Sequence, residues 1–226
     1  MKNLLILMLG SFFLVNCSTL QNNAKYELSD GKYNLKSEKL RYKCYVENNN
    51  DSIVIHPLMG GNETQLFLTK SAISSQKYLF KKSSFDIDVM TVLFKIRPSI
   101  KNILPTQLNS SFNGNIYLGH RTDIYQIKYK TNPIKKAYRQ INHYGFSGGG
   151  FVGLGNGAIN PSTTNNKISS DYEGLILQKG FAVIIAVNKL TIGTSIGIDN
   201  LLGQNKSVWI YQNKPWFGLM LGLNLN

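Results

Sequence analysis

The chain has 226 residues, of which 25 are Lys or Arg and 12 are Asp or Glu, so its formal net charge is +13. Only 16% of the residues are charged, below the roughly 25% of a typical soluble domain. The length suits one domain with a small appendage, and the composition excludes collagen, a coiled coil, a disulfide-stapled mini-protein and an acidic disordered tail. It also argues against an ordinary cytosolic enzyme.

The first 17 residues are predicted to be an export signal. Lys2 precedes a largely apolar stretch, residues 4–15, which is too short to cross a bilayer as a helix but has the length of a secretory signal. It ends in Leu14-Val15-Asn16-Cys17, which resembles the lipobox of bacterial lipoproteins, although Asn16 replaces the usual small residue. The resemblance implies that Cys17 is lipidated and becomes the new N-terminus. Cleavage of a plain signal peptide nearby and a retained anchor are the alternatives.

The second cysteine, Cys44, has no intramolecular partner if Cys17 is lipidated. It lies in the apolar-leaning stretch 40–46, where a small buried thiol is expected. A disulfide between Cys17 and Cys44 is the competing interpretation.

Residues 18–85 are predicted to form a tether, residues 18–24, followed by a small β segment. Turn signals at Asp30-Gly31 and at residues 48–51 separate short apolar runs. The predicted strands cover residues 32–35, 40–46, 52–56 and 66–68. The polar residues 71–84 are predicted to be a connector or one short helix.

Residues 86–226 repeat one pattern, in which apolar residues alternate with small or polar ones. Successive side chains of a strand point to opposite faces, so each such segment has one apolar and one small face. In residues 190–199, Leu190, Ile192, Ile196 and Ile198 share the apolar face. The same alternation marks residues 112–129, 144–155, 173–188 and 217–226, with Phe151, Ile176, Ile184 and Met220 as apolar exceptions on the small face. Residues 86–97 are predicted to be a strand whose faces are unclear.

The small faces of these strands carry few charges. Residues 143–166, 180–188, 190–198 and 215–226 contain no Lys, Arg, Asp or Glu at all. A strand facing water normally carries such residues, whereas small uncharged side chains suit the inside of a narrow barrel. We therefore predict that the apolar faces point outward into hydrocarbon, where a closed sheet satisfies its own backbone groups.

The predicted connections alternate in length. Asn188-Lys189 permits only a tight hairpin, and residues 131–138 form another short connection, whereas residues 98–111, 158–169 and 200–207 are longer. With the N-terminus in the periplasm, the long connections all lie outside and the C-terminus inside, as in transmembrane barrels. Aromatic residues near strand ends fit interfacial girdles, although ordinary sheet aromatics explain them as well: Tyr125, Tyr129, Tyr172, Trp209, Tyr211 and Trp216. Pro215 is predicted to begin the last crossing.

The sequence thus predicts an all-β protein with an antiparallel up-and-down transmembrane β-barrel over residues 86–226. Six strands are evident from residue 86 onward, whereas the smallest common barrels have eight. Either the first 85 residues supply two strands, or the long strands 112–130 and 170–187 are misassigned, or a half-barrel closes by oligomerising. We predict about eight strands.

Several motifs point to a family. They are the lipobox, Ser29-Asp30-Gly31-Lys32-Tyr33, Asn142-His143-Tyr144-Gly145 and the closing segment from Lys214-Pro215-Trp216 to Asn226. On these motifs the chain resembles an uncharacterised family of outer-membrane β-barrel lipoproteins of Bacteroidota-type Gram-negative bacteria. The resemblance implies a barrel in the outer membrane and supplies no activity.

Candidate catalytic residues are few. The histidines are His56, His120 and His143. His120 and Thr122 share a face at roughly 7 Å, but Asp123 points to the other face. His143 and Ser147 share a face about 13 Å apart, too far for a direct hydrogen bond. We expect surface or interfacial histidines and no catalytic residue.

Other chemistries are also not expected. The glycines of residues 148–157 lack the Gly-Lys-Ser/Thr of a phosphate loop and suit packing in a narrow barrel. Two Cys and three His offer almost no material for a metal cluster, so no metal or cofactor is predicted. An exported chain without a recognition helix is not expected to bind nucleic acid, despite its basic charge. The basic cluster at residues 128–139 is expected to be a solvated turn or to face anionic lipid.

The sequence therefore favours a non-enzymatic lipoprotein of the outer membrane, anchored by Cys17, with a structural, surface-recognition or small-pore role. Residues 98–111 and 158–169 would supply any recognition. Its expected partners are membrane lipid and, in transit, the barrel-assembly machinery; no protein partner is identified. The alternatives are a lipid-tethered periplasmic barrel that binds an apolar ligand inside, and a barrel-embedded lipid hydrolase or acyltransferase.

Overall fold

A computed structural model describes residues 25–38, 40–49, 52–58, 66–69, 77–101 and 103–223. The export signal and Cys17 lie outside these residues. The described residues form 12 strands in one antiparallel sheet. The strands are β1 (Gly31–Lys36), β2 (Arg41–Asn48), β3 (Ser52–Pro57), β4 (Leu66–Thr69), β5 (Tyr78–Met90), β6 (Val92–Arg97), β7 (Gln107–Asn109), β8 (Asn113–Thr131), β9 (Ala137–Ile159), β10 (Tyr172–Val187), β11 (Leu190–Leu201) and β12 (Pro215–Leu223).

The four short strands predicted before residue 70 are confirmed as β1 to β4, which pair in sequence order. Their inward side chains are apolar and form one core with parts of β5 and β8, and Cys44 lies fully buried in it as a free thiol. The buried members are Leu28, Tyr33, Leu35, Cys44, Val46, Ile53, Ile55, Leu68, Phe80, Tyr125, Ile127 and Tyr129.

The interpretation of residues 71–84 as a connector or helix is wrong for residues 78–84, which lie in β5. Their alternating exposure places Phe85, Ile87 and Val89 outside and Asp86 inside, so local polarity concealed a strand. β5 thus runs through the boundary expected at residue 85. The assignment of the two segments as separate units stays a prediction.

The order of pairing is β4-β3-β2-β1-β5-β8-β9-β10-β11-β12-β6-β7, so the sheet is open, with β4 and β7 at its edges. β5 and β6 are separated only by Thr91, yet β5 pairs with β8 and β6 pairs with β12. β6 also pairs with β7, which precedes β8 in the chain. One nearly continuous stretch, residues 78–97, therefore contacts both ends of the block formed by β8 to β12.

The orientation predicted for the apolar faces of the long strands is confirmed where side chains are described. Val183 is 44% exposed, and Ile192 and Ile196 are each 45% exposed; the side chain of Leu221 lies outside the described part. The four apolar exceptions on the small faces, Phe151, Ile176, Ile184 and Met220, are all buried.

The alternation of short and long connections is also confirmed, except that the connection predicted at residues 98–111 contains the short strand β7. Residues 132–136 and 188–189 join neighbouring strands tightly, and Asn188 takes a positive φ of 50° that suits such a turn. At the other end, residues 98–106, 160–171 and 202–214 form long connections, two of which contain short 3₁₀ turns. Pro215 begins β12, as predicted.

The expectation of outward-facing aromatic girdles is wrong for five of the six residues. Trp209, Tyr211, Trp216, Tyr125 and Tyr129 are buried, and only Tyr172 is exposed. Trp209 and Tyr211 lie in the connection at residues 202–214, and the side chains of all five fill internal clusters instead of an interface. No helix among the described residues is long and apolar enough to cross a membrane.

Candidate functional site

The candidate pair His120 and Thr122 does not form a catalytic site with Asp123. His120 and Thr122 lie on the outward face of β8, and Asp123 points inward, as expected. His56 lies in β3 near Glu47, with 3.4 Å between Nε2 and Oε1. Cys17, the predicted lipid attachment residue, is outside the described residues.

The prediction that His143 is a surface or interfacial residue is wrong, because its side chain is fully buried. Its Nε2 lies 2.7 Å from Asp123 Oδ1, which also accepts a hydrogen bond from Arg121 Nε at 2.8 Å. Because β8 and β9 pair residue by residue, Asp123 and His143 meet although 20 residues separate them. The strand faces indicated that both point inward, but only the register brings them together.

This buried network extends towards the N-terminal segment. Lys25 Nζ donates to Asp86 Oδ1 at 2.9 Å and to Asp88 Oδ1 at 3.0 Å, and Asp86 lies 4.0 Å from Arg121. Alternating acids and bases compensate one another, as buried charges require. The network is therefore an internal ion-pair system that connects the start of the described chain to β5 and β8.

Within this network, the predicted candidates His143 and Ser147 do not form a catalytic triad with a carboxylate. Ser147 Oγ shares a hydrogen bond of 2.8 Å with the Tyr117 hydroxyl. His143 Nδ1 has no hydrogen-bond partner within the described part of the chain. The His143–Asp123 pair has the composition of an acid–base dyad, but Ser147 is not joined to it.

A second buried network lies near the long connections. The Asp199 carboxylate accepts hydrogen bonds from Trp216 Nε1 at 2.8 Å and Lys95 Nζ at 3.2 Å, and it pairs with Arg97 Nη2. Lys95 Nζ also lies 4.7 Å from the centre of the Trp216 ring. Two cations therefore share one buried carboxylate.

A polar cavity of about 220 Å³ adjoins this second network. Both connections predicted to supply recognition contribute to it, with Asn109 from residues 98–111 and Thr163 from residues 158–169. We call this cavity the loop pocket. Its lining residues are Arg97, Asn109, Ser110, Ser111, Phe112, Asn156, Gly157, Ala158, Thr163, Glu173, Trp209 and Tyr211.

Arg97 is the central polar residue of the loop pocket. It is 5% exposed, and its guanidinium carbon lies 4.4 Å from the centre of the Tyr211 ring and 5.7 Å from that of Trp209. Its Nε and Nη1 have no hydrogen-bond partner among the residues described. Both nitrogens are also shielded from solvent, which makes them exceptions to the rule that buried donors have partners.

Acceptors in the loop pocket are also unpaired. Asn109 Oδ1 and Asn156 Oδ1 are buried without a partner in the described structure. Glu173 adds an exposed carboxylate to the lining. The residues that line the pocket thus include an arginine and two asparagines with buried unpaired atoms, one exposed carboxylate and two aromatic rings.

The long connections hold this arrangement in place. Thr163 Oγ1 donates to the carbonyl of Ala158 at 3.0 Å, and the amide of Ile210 donates to the carbonyl of Thr163 at 3.0 Å. Trp209 Nε1 donates to the same Ala158 carbonyl at 3.3 Å.

Burial raises the pKa of Tyr211, although Arg97 opposes this shift. The Tyr211 hydroxyl, a donor to Gln107, therefore stays protonated at neutral pH.

Two further hollows lie on the outward side of the long strands. One is lined by Val152, Phe181 and Ile196 with Lys179, and the other by Val183, Phe217 and Leu219. Both are apolar gaps between outward side chains. At the opposite end, Lys130, Lys135 and Lys136 of the basic cluster are exposed around the short turn at residues 132–136.

No group of three or more His, Cys, Asp or Glu side chains in the described ranges is arranged to hold a metal ion. No protein-family model, curated protein or solved structure matches the chain. The resemblance to outer-membrane barrel lipoproteins therefore stays a prediction.

Proposed function

We propose that this chain is a non-enzymatic β-barrel lipoprotein of the bacterial outer membrane with a surface-recognition role. In this proposal Cys17 attaches the N-terminus to the inner leaflet and the long strands cross the membrane. The loop pocket then faces the outside of the cell.

The orientation of the long strands is the observation that supports the proposal most strongly. Large apolar side chains such as Phe181, Val183 and Ile196 are exposed, whereas charged residues such as Arg121 and Asp199 are buried. Burying apolar surface is the main driving force of folding in water, so this arrangement is unfavourable there. It is favourable where hydrocarbon surrounds the sheet.

Backbone pairing supports a barrel-like wall. We treat β5, Thr91 and β6 as one bent strand. This strand and the five strands β8 to β12 then form a circuit in which β12 pairs back onto the first strand. When paired residues are followed around this circuit from Phe85, the path ends at Phe94, and such a shift is the stagger that tilted barrel strands require. The residues along the path are Phe85, His120, Gly148, Val183, Thr194, Leu219 and Phe94. The two halves of this bent stretch pair with the outer sides of β8 and β12, so neither of these strands is an edge of the sheet.

The orientation in the membrane follows from the two ends of the sheet. β1 pairs with β5 at residues 79–81, close to the short turn at residues 132–136. The N-terminal segment therefore lies at the short-turn end, which is the periplasmic end of transmembrane barrels. A lipid on Cys17 in the inner leaflet fits this placement.

The alternative functions fit less well. A periplasmic carrier of an apolar ligand requires the apolar faces inside, opposite to Val183, Ile192 and Ile196. A small pore requires an open interior, whereas Tyr117 and Trp216 fill that of the long strands. A lipid-modifying enzyme requires a nucleophile beside His143, and Ser147 bonds to Tyr117 instead.

Membrane fractionation with a heat-modifiability gel tests the proposal. We expect the full chain in the outer-membrane fraction, and we expect the unboiled protein to migrate differently from the boiled one. The variant Cys17→Ser separates the two attachments: if the strands cross the membrane, it stays in the membrane fraction although its lipid is lost.

Cys44→Ser is the matched control, because it removes a thiol that is not predicted to be lipidated. A mature protein that stays soluble and monodisperse without lipid or detergent would contradict the proposal. Release of Cys17→Ser into the soluble periplasm would contradict the membrane-crossing strands while leaving the lipid anchor intact.

A further inference from the structure

We infer that the outward face of the N-terminal strands docks against anionic phospholipid headgroups, on the side of the membrane from which those strands project. This inference rests on the proposed function, because strands that cross the membrane place the bilayer beside this face. We call it the basic face. It consists of five exposed cations on β1, β2 and β5, namely Lys32, Lys36, Arg41, Lys43 and Lys81.

The basic face has no carboxylate to balance its charge. The other outward residues of the stretches 32–36, 41–45 and 79–83 are Asn34, Tyr45, Leu79 and Ser83. No side chain of the five cations forms an ion pair or a hydrogen bond with the described residues. Inside the sheet, by contrast, Lys95 and Arg121 are paired with aspartates. The protein therefore compensates its buried cations and leaves the exposed ones available to a partner that carries negative charge.

The strand register places like charges side by side. Lys36 lies directly opposite Arg41 in the β1–β2 pair, and Asn34 has Lys43 on one side and Lys81 on the other. Side chains that face each other in such a pair have their Cβ atoms about 4.5–5.5 Å apart, and like charges there repel. This repulsion gives the free protein nothing, and it is removed when phosphate groups lie against the face.

The basic face continues directly into the apolar outward face of the long strands. On β5, Phe85, Ile87 and Val89 are exposed on the same side as Lys81. Lys81 comes four residues before Phe85, which is about 13 Å along the strand. If Phe85 contacts hydrocarbon, a cation at that distance towards the periplasmic end reaches the headgroup layer, where anionic lipids attract it.

The edge of the basic face nearest Phe85 also suits an interface. Because β1 is antiparallel to β5, this edge is formed by Lys32 and by Tyr45, which lies opposite it on β2. Tyrosine is enriched at the headgroup level, since it combines an apolar ring with a polar hydroxyl. Lysine can reach the same level by extending its methylene stem along the protein. The order from apolar residues through tyrosine to clustered cations fits a lipid surface better than a polyanion in solution.

Native mass spectrometry of the purified full chain, released from non-ionic detergent, measures lipid binding. Phosphatidylglycerol is the anionic probe, and phosphatidylcholine with the same acyl chains is the zwitterionic analogue. We expect the apparent affinity for phosphatidylglycerol to be higher by about tenfold or more. Raising the ammonium acetate concentration from about 50 to about 500 mM should narrow this difference, because salt screens attraction between exposed charges.

A double variant tests the face itself. Lys36→Gln with Arg41→Gln removes two adjacent charges, and at about fivefold per charge the affinity for phosphatidylglycerol should fall roughly 25-fold. The matched control is Lys206→Gln with Lys214→Gln, which removes two exposed charges from the connection at residues 202–214 and should bind as the unchanged protein does. Without lipid, the thermal midpoint of the first variant should not fall, because it loses a repulsive pair.

A second double variant, Lys43→Gln with Lys81→Gln, decides if the first one fails to fold. Equal retention of the two lipids overturns the inference, as does an unchanged affinity for phosphatidylglycerol in a folded double variant. Retention of soluble polyphosphate but not of phosphatidylglycerol also overturns it, because the face would then belong to a polyanion in solution.

Failure of the proposed function gives a different result, namely a mature chain that is soluble without detergent. Sedimentation with vesicles then replaces mass spectrometry, using phosphatidylcholine vesicles with and without phosphatidylglycerol. Binding only to the anionic vesicles, lost in the Lys36→Gln, Arg41→Gln variant, would support the docking of the basic face without a membrane barrel. Equal binding to both kinds of vesicle would reject it.

Discussion

The N-terminal strands and the long strands of this protein are built from the same alternating pattern but with opposite orientations. In β1 to β3 the buried side chains are apolar, among them Leu35, Val46 and Ile55. In β8 to β11 most of the large exposed side chains are apolar, and Arg121, Asp123 and Asp199 are buried. One chain therefore contains one region organised for water and one that we propose is organised for hydrocarbon.

The two regions meet along β5 and β8. Phe80, Tyr125, Ile127 and Tyr129 belong to these long strands but are buried in the N-terminal apolar core. Further along the same strands the inward residues become Asp86, Arg121 and Asp123. The inside of the sheet thus changes from apolar to charged within a few residues, while the backbone pairing continues without a break.

The largest effect is expected from Asp199→Asn. This change leaves Lys95 and Arg97 buried without their carboxylate, which costs about 3–5 kcal/mol of unfolding free energy. Urea unfolding in detergent measures it, with Asp171→Asn, an exposed residue outside the strands, as the control. A loss below 1 kcal/mol would show that charges do not hold the inside of the long strands together.

A matched pair of isoleucines compares the two regions directly. Ile55 is fully buried in the N-terminal core, so Ile55→Ala should cost about 2–5 kcal/mol. Ile192→Ala on the outward face of β11 should cost no more than about 1 kcal/mol in detergent, because its side chain makes fewer protein contacts. Equal losses in the unfolding midpoints of the two variants would remove the distinction between the regions.

Adjacent glycines of β9 test how closely the long strands approach one another. A Cβ added at Gly149 would lie 2.2 Å from the backbone oxygen of Leu118, whereas one at Gly148 would meet no described atom within 4 Å. We expect Gly149→Ala to lower stability by about 1–3 kcal/mol and Gly148→Ala to leave it nearly unchanged. Thermal midpoints measure the difference, and similar values for both would contradict the close approach.

The smallest effect is expected at Cys44. Burial raises the pKa of its thiol from the ordinary value near 9 to about 11. Below pH 9 the thiol is neutral in both the folded and the unfolded chain. Between pH 9 and 11 it ionises first in the unfolded chain, so stability should decline over this range.

Cys44→Ala serves as the control and should remove that part of the decline. A maleimide should label the folded protein slowly and the urea-unfolded protein quickly. Rapid labelling of the folded protein would show that the N-terminal core is open.

Much of the local structure follows from the sequence. The faces of β10 and β11, the turn at Asn188-Lys189 and the burial of Cys44 were all predicted, because each depends on neighbours within a few residues. The start of β5 was missed because Lys81, Lys82, Ser83 and Ser84 resemble a polar connector. The sequence did not decide between interfacial girdles and ordinary sheet aromatics, because an aromatic residue suits either face, and five of the six are buried.

By itself, then, the amino-acid sequence determined most of the strands and which face of the long ones is apolar, since a period of two is a property of adjacent residues. The tertiary structure alone decided which polar residues meet. Lys95 reaches Asp199 across 104 positions and Asp123 reaches His143 across 20. Such pairs depend on strand register and on the bend at Thr91, which no local pattern specifies.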